Sequence, residues 1–286
     1  MVATSMIRER SLSGRPFLSL QTLALVLVVT TIAHPQARSS ATNGSALLDK
    51  LKKEPFPLTI NQVADANLTE AIPILKQKFA ETEVKKSSTA YLDDNLATKG
   101  ALASALVRLG ERNGPHWEFL ETQAKLATDS DAPWPIARDA KGNFIPKQFS
   151  PEFLAWAEAH RVDPVDASWN QIGLQNRLWP LAATGDIRGL SILRKALSSP
   201  NYLVQSVGAK GLALLQDRDS IPSIIDACER TSVFMSADAA DVIARSLVFF
   251  DDARAQIAAE KYIRNRSTVD SLRQTKKVHG PRGVFR

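Results

Sequence analysis

A single cysteine, Cys228, stands in 286 residues. One thiol cannot close an intramolecular disulfide, so no disulfide framework holds this fold and its stability must come from a packed core. Histidine is nearly as scarce: His34, His116, His160 and His279 are the only four. No two of them share a helix face, and neither a His-Glu-x-x-His nor a Cys-x-x-Cys spacing occurs, so no metal site is expected and the histidines read as surface residues near helix ends. There is no Gly-x-Ser-x-Gly elbow, phosphate loop or dinucleotide fingerprint, and hence no catalytic constellation and no cofactor. Carboxylates fall near one another at Glu118 and Glu121, and at Glu152 and Glu158, but solvated helix faces account for both pairs. Sustained apolar/polar alternation is missing as well, which excludes an extensive sheet.

One long apolar run is present. Arg8, Arg10 and Arg15 precede an uncharged stretch from Phe17 to Ala33, and polar sequence follows. A basic region, an apolar region and the small-residue triplet Thr31-Ile32-Ala33 have the layout of a signal peptide over residues 1–37. The run falls short of the about 20 apolar residues that a membrane span needs, and it contains Gln21. An uncleaved anchor is the alternative. No cysteine lies near the site to carry a lipid. An exported chain without disulfides is expected in the bacterial periplasm or outside the cell.

The net charge of +6 is unevenly distributed. Residues 1–40 carry +3, residues 41–260 carry −4, and residues 261–286 carry +7. The body is therefore mildly acidic, and the basic isoelectric point is no argument for nucleic-acid binding. Residues 266–286 combine Arg266, Arg273, Lys276, Lys277, Arg282 and Arg286 with Gly280, Pro281 and Gly283. Little apolar content and high charge predict a disordered tail, with weak attraction to an anionic surface as its functional reading.

Helical periodicity organises the rest. Residues 38–68 read as a linker with one short helix over 45–53, stopped by Glu54-Pro55-Phe56-Pro57. Ile72, Leu75 and Phe79 fall at i, i+3, i+7. Leu102, Ala105, Leu106 and Leu109 fall at i, i+3, i+4, i+7 and end at Gly110, and Pro115 opens the next helix. Beyond residue 170 the spacing becomes regular. Asp186, Asp217 and Asp252 mark turns 31 and 35 residues apart. Between them Asn201 and Ser236 are expected caps, the helix from Ser236 carrying Ala239, Ile243, Leu247 and Phe250, and Ile221, Ile224, Ile225 and Cys228 form one stripe. Helix pairs this small cannot bury their apolar faces alone, so stacking of neighbours is implied.

The stretch Val207-Gly-Ala-Lys-Gly-Leu-Ala-Leu-Leu-Gln-Asp-Arg-Asp-Ser-Ile-Pro-Ser-Ile-Ile-Asp-Ala227 resembles the short HEAT-like repeat known from phycobilin lyases. Ala71-Ile-Pro-Ile-Leu75 repeats its Ile-Pro element. The likeness covers roughly 70–126 and 171–265. It implies an all-α fold, a right-handed α-solenoid of about five helix pairs, with repeats at 69–127 and 170–265. The spacing is shorter than in full HEAT repeats, and Pro180 is expected to interrupt a helix. The lyase activity is cytoplasmic and conflicts with the export signal, so only the fold is carried over.

Between the halves, residues 128–169 hold five prolines and the tryptophans Trp134, Trp156 and Trp169. Ser150-Pro151-Glu152 is a helix start, and the rest is expected to be extended or irregular. Phe144, Phe149 and Phe153 add to this aromatic set. Trp134, Trp156 and Trp169 are the candidate binding residues, since large aromatics dominate recognition hot spots. The competing reading makes the rings anchors that pack the segment onto the repeats. The sequence thus points to a non-enzymatic scaffold for another protein or peptide; an envelope hydrolase with a site where the insertion meets the repeats is the alternative.

Overall fold

The computed structural model describes residues 44–84, 94–139 and 144–286. The expected signal peptide lies outside these residues. Thirteen α-helices occur among them: α1 (Gly44–Lys53), α2 (Pro57–Asp65), α3 (Ile72–Glu81), α4 (Asp94–Arg108), α5 (Pro115–Thr128), α6 (Pro151–Ala159), α7 (Pro164–Thr184), α8 (Leu190–Ala196), α9 (Tyr202–Leu215), α10 (Ile221–Phe234), α11 (Ala237–Ala244), α12 (Ala253–Tyr262) and α13 (Arg266–His279). Short 3-10 turns precede α3, α8 and α10, and longer ones follow α11 and α13. The chain is mostly helical.

Proline does much of the punctuation. Pro57, Pro115, Pro151 and Pro164 each sit at the start of a helix, where a missing N–H costs nothing. Side-chain caps do the rest: Ser150, Asp163, Asn201, Ser236, Asp252 and Asn265 each accept a backbone N–H of the first turn. Gly110 lies just past α4 at φ +100, and Glu111 N donates back to the Leu106 carbonyl at 2.9 Å.

The helices form two series. α2 packs on α4, α4 on α7, α7 on α9, and α9 on α11; on the second side α5 packs on α8 and α10 on α12. One buried apolar cluster runs from Leu51 to Val284. Asn201 shows how neighbours are tied. It caps α9 through Leu203 N (2.9 Å) while its amide donates to the Gln171 carbonyl of α7 (2.6 Å).

Several expectations need correction. Residues 38–68 are more than a linker, because α2 buries Ile60 and Val63 completely. Pro180 does not interrupt its helix: α7 runs through it to Thr184. α4 makes room for the ring by presenting Gly100 there, where a Cβ would stand 2.6 Å from Pro180 Cγ. The helix begun at Ser236 gives way at Ala244 to a 3-10 turn over Arg245–Phe249. The extended part of the insertion is paired with itself. It contains an antiparallel pair, β1 (Ile136–Arg138) and β2 (Phe144–Phe149), strands too short and irregular in register to leave an alternating pattern. The insertion does not separate two blocks, since α7 begins inside it and packs on α4, α5 and α9.

The basic tail, expected to be disordered, is folded. Residues 266–279 are helix α13 and 280–285 a 3-10 turn, with Val269 and Val284 buried. Three of the basic residues are partnered on other elements: Arg273 with Glu260 (2.7 Å), Lys276 with the Phe250 carbonyl (2.8 Å), and Arg286 with Asp65 (2.6 Å). A few apolar side chains and well-placed acceptors order a segment whose composition argues for disorder. Among the described residues no helix is long and apolar enough to cross a membrane.

Candidate functional site

Ser150 fixes the geometry of the insertion. Its Oγ accepts from Phe153 N at 3.2 Å to cap α6 and donates to the Trp134 carbonyl at 2.9 Å, while its own N–H donates to the Pro135 carbonyl at 2.9 Å. The start of α6 is thus tied to the extended chain entering β1, and Trp134 is held in place. The Trp134 ring lies 4.8 Å from that of Tyr202 at the start of α9, tilted by 60°. Burial pushes the Tyr202 hydroxyl up to about 12, with the Arg138 charge opposing and Asp238 adding.

Trp134 and the hairpin form one wall of a cleft of about 690 Å³. The other wall is the turn Ser198–Pro200 with Gln205, Arg230, Phe234 and Met235. Arg138 on β1 reaches across, its Nη1 donating to the Met235 carbonyl; burial lowers its pKa. The far wall is internally braced. Gln205 donates to the Ser199 carbonyl (2.6 Å) and accepts from the Thr231 hydroxyl (2.9 Å), and Arg230 is held by Asp226 (2.9 Å) and the Leu197 carbonyl (3.2 Å). Phe234, which lines the cleft, is 81% exposed. The cleft therefore offers apolar contact at its ends and hydrogen bonding between them.

Of the three tryptophans, only Trp134 lines this cleft. Trp156 lies on α6, half-buried, with Nε1 donating to Asp131 (3.0 Å) and its ring stacked 4.4 Å from His160. Trp169 is half-buried on α7. The three are not brought together. Phe153 is fully buried and stacks at 5.8 Å on Trp156, the placement of an anchor. Phe149 is half-buried beside Phe153, and the side chain of Phe144 lies outside what is described. Sequence reasoning missed Phe234, Met235, Arg138 and Tyr202. One signal was present: Phe234 falls off the Ile221/Ile224/Cys228 stripe of α10, so its ring must leave the core.

The histidines divide. His116, expected at the surface, is buried: its ring meets Phe79 edge-on at 6.3 Å and Nε2 faces the Glu111 carbonyl. His160 is exposed, with Nδ1 2.8 Å from the Trp156 carbonyl. Glu121 pairs with Lys125 at 2.6 Å. Cys228 is fully buried, and burial pushes its thiol up to about 12, so it is no nucleophile at neutral pH. Among the described residues no group of three His, Cys, Asp or Glu side chains is placed to hold a metal ion.

Comparison of the chain with family models, with characterised proteins and with solved structures yields no match.

Proposed function

We propose that the chain is an exported, HEAT-like helical-repeat scaffold that binds an extended segment of another protein in the cleft between the insertion hairpin and α10. The observation that carries this reading is the cleft itself. A rigid wall at Trp134 faces an exposed Phe234, and the hydrogen-bonding groups between them are braced by their own partners. Exposed aromatic side chains beside a preformed concavity are what an apolar anchor residue of a partner needs. Support for the solenoid is the order of packing, each helix of one series resting on the next. The aspartate-marked turns add to it: Asp186 binds Arg188, Asp252 binds Arg254 with the same i, i+2 geometry, and Asp217 takes Arg194 from α8. A right-handed superhelix is part of the proposal. A binding role is also favoured over the hydrolase alternative by His116 and His160, each of which faces a backbone carbonyl.

The test is selection of linear peptides from a display library on the full mature chain, with the Phe234→Asp variant as counter-selection. The reading expects peptides carrying an apolar anchor whose affinity falls at least about tenfold on Phe234→Asp. Peptides that bind both proteins equally, or no enrichment at all, would exclude the cleft. Export is tested separately, by mass spectrometry of the mature N terminus, which should lie near His34.

A further inference from the structure

A second concavity, of about 530 Å³, lies among the ends of α2, α4 and α7 and is closed by the C-terminal segment. Four guanidinium groups line it, from Arg108, Arg112, Arg282 and Arg286, against the two carboxylates of Asp65 and Asp186. Both carboxylates are already engaged. Asp65 gives one oxygen to Arg108 and the other to Arg286 at 2.6 Å. Asp186 binds Arg188 through both oxygens, at 2.9 and 2.8 Å. Arg112 and Arg282 are left without a carboxylate partner among the described residues.

Arg282 is the more telling of the two. Its side chain is half-buried, and Nη1 donates to the Ala183 carbonyl at 3.1 Å. The guanidinium lies over Gly185, where Nη2 would stand 3.5 Å from a Cβ. A guanidinium has five N–H donors, so most of the hydrogen-bonding capacity of this cleft-lining side chain is left over. Burial, then the positive charge of Arg108, lowers its pKa, with Asp65 opposing. A partly desolvated cation crowded by like charges is stabilised by any anion that can reach it.

We infer that this cleft binds a small polyanion, a molecule bearing two or more carboxylate or phosphate groups, with Arg112 and Arg282 as its binding residues. Guanidinium forks match both oxyanions bidentately. The volume falls within the range of small-molecule pockets, about 300–1,000 Å³, and is far larger than a lone halide needs. Arg108 and Asp65 form the frame. Arg108 is only 7% exposed at its side chain and holds Asp65, which in turn holds Arg286. Because Arg282 and Arg286 arrive on the C-terminal segment, the cleft exists only while that segment is docked.

The experiment is calorimetric titration and thermal unfolding of the full chain with citrate and, separately, with pyrophosphate, each against sodium chloride of matched ionic strength. At 1 mM, at least one polyanion should raise the unfolding temperature by about 2–4 °C beyond the salt control. Binding of citrate alone would identify a carboxylate site, of pyrophosphate alone a phosphate site, and of both a general oxyanion site. Arg112→Gln and Arg282→Gln should each weaken binding about tenfold or more, while Phe234→Asp should leave it unchanged. Arg112 is exposed, so Arg112→Gln folds even if Arg282→Gln does not, and it then decides the matter. No shift with either anion, or unchanged affinity in these variants, overturns the proposal.

Discussion

Lys210 lies with Nζ 4.6 Å from the centre of the Trp179 ring, and burial, aided by the charge of Arg245, pulls its pKa down to about 8 from 10.5. Below pH 8 folded and unfolded chains both carry the proton, and the folded state bears the whole desolvation cost. Between pH 8 and 10.5 the folded state has released a proton that the unfolded chain keeps, so stability rises with pH. Cys228 and Tyr202 act in the opposite sense. Their folded values, both about 12, lie above 9.0 and 10.0, so their contribution is lost as pH climbs through that window. The alkaline side of the stability profile should therefore crest near pH 9. Urea unfolding of Lys210→Met should show a gain of about 1–2 kcal/mol at pH 7 and no rise from pH 8 to 9; a retained rise would mean another group is responsible. Gly100 gives a second test at this scale. Alanine would favour the helix by about 1 kcal/mol, yet its Cβ would meet Pro180 at 2.6 Å. Overpacking of about 1–3 kcal/mol should dominate, so Gly100→Ala should lower the urea midpoint.

At the scale of elements, the starts of helices are the best-read feature of this chain. Ser150, Asn201, Ser236 and Asp252 cap where the sequence places them, because a cap depends on residues within one turn. Asp163-Pro164 carries the same signal and starts α7 inside the segment read as extended or irregular. What a cap does beyond its own turn is not local. Asn201 is fully buried and its amide satisfies the Gln171 carbonyl of α7. Asn201→Ala should cost about 2–3 kcal/mol, from the cap and from a buried carbonyl left unpaired. Asn201→Asp keeps the cap acceptor but turns a donor into a second acceptor against that carbonyl, so it should be no better than alanine. Chemical denaturation of the two variants checks this; an Asp variant as stable as wild type would leave the tie to α7 without energetic weight.

Across the whole molecule, the C-terminal segment reaches the farthest. Phe285 meets Trp179 edge-on at 5.0 Å, Arg282 bonds the Ala183 carbonyl, and Arg286 pairs with Asp65, 221 residues earlier in the chain. The segment thereby links α13 to α7 and α2. Few apolar contacts hold it, so it belongs to the part of the structure that opens at low cost. Replacing Val284 and Phe285 together by serine should speed tryptic cleavage after Arg282 by about tenfold or more, with far-UV circular dichroism nearly unchanged. Equal cleavage rates in the two proteins would show that the ion pairs alone hold the segment.

The sequence by itself determined what is local and periodic. The stripe Ile221, Ile224, Cys228, the Gly110 terminator and the helix-opening prolines each act within a turn or two, and they establish a helical chain. Short-range signals also placed Trp134 in a segment of unusual composition. Only the tertiary structure decided which groups meet. The cleft at Trp134 needs Phe234 and Met235, one hundred residues later, and the cationic cleft needs Asp65 beside Arg282. The tail shows why. Its composition predicts disorder because too little of it is apolar, but Val269, Val284, Glu260, the Phe250 carbonyl and Asp65 offset the entropy of ordering it. Those acceptors belong to other elements, and pairings between distant segments leave no periodicity in the sequence to be read.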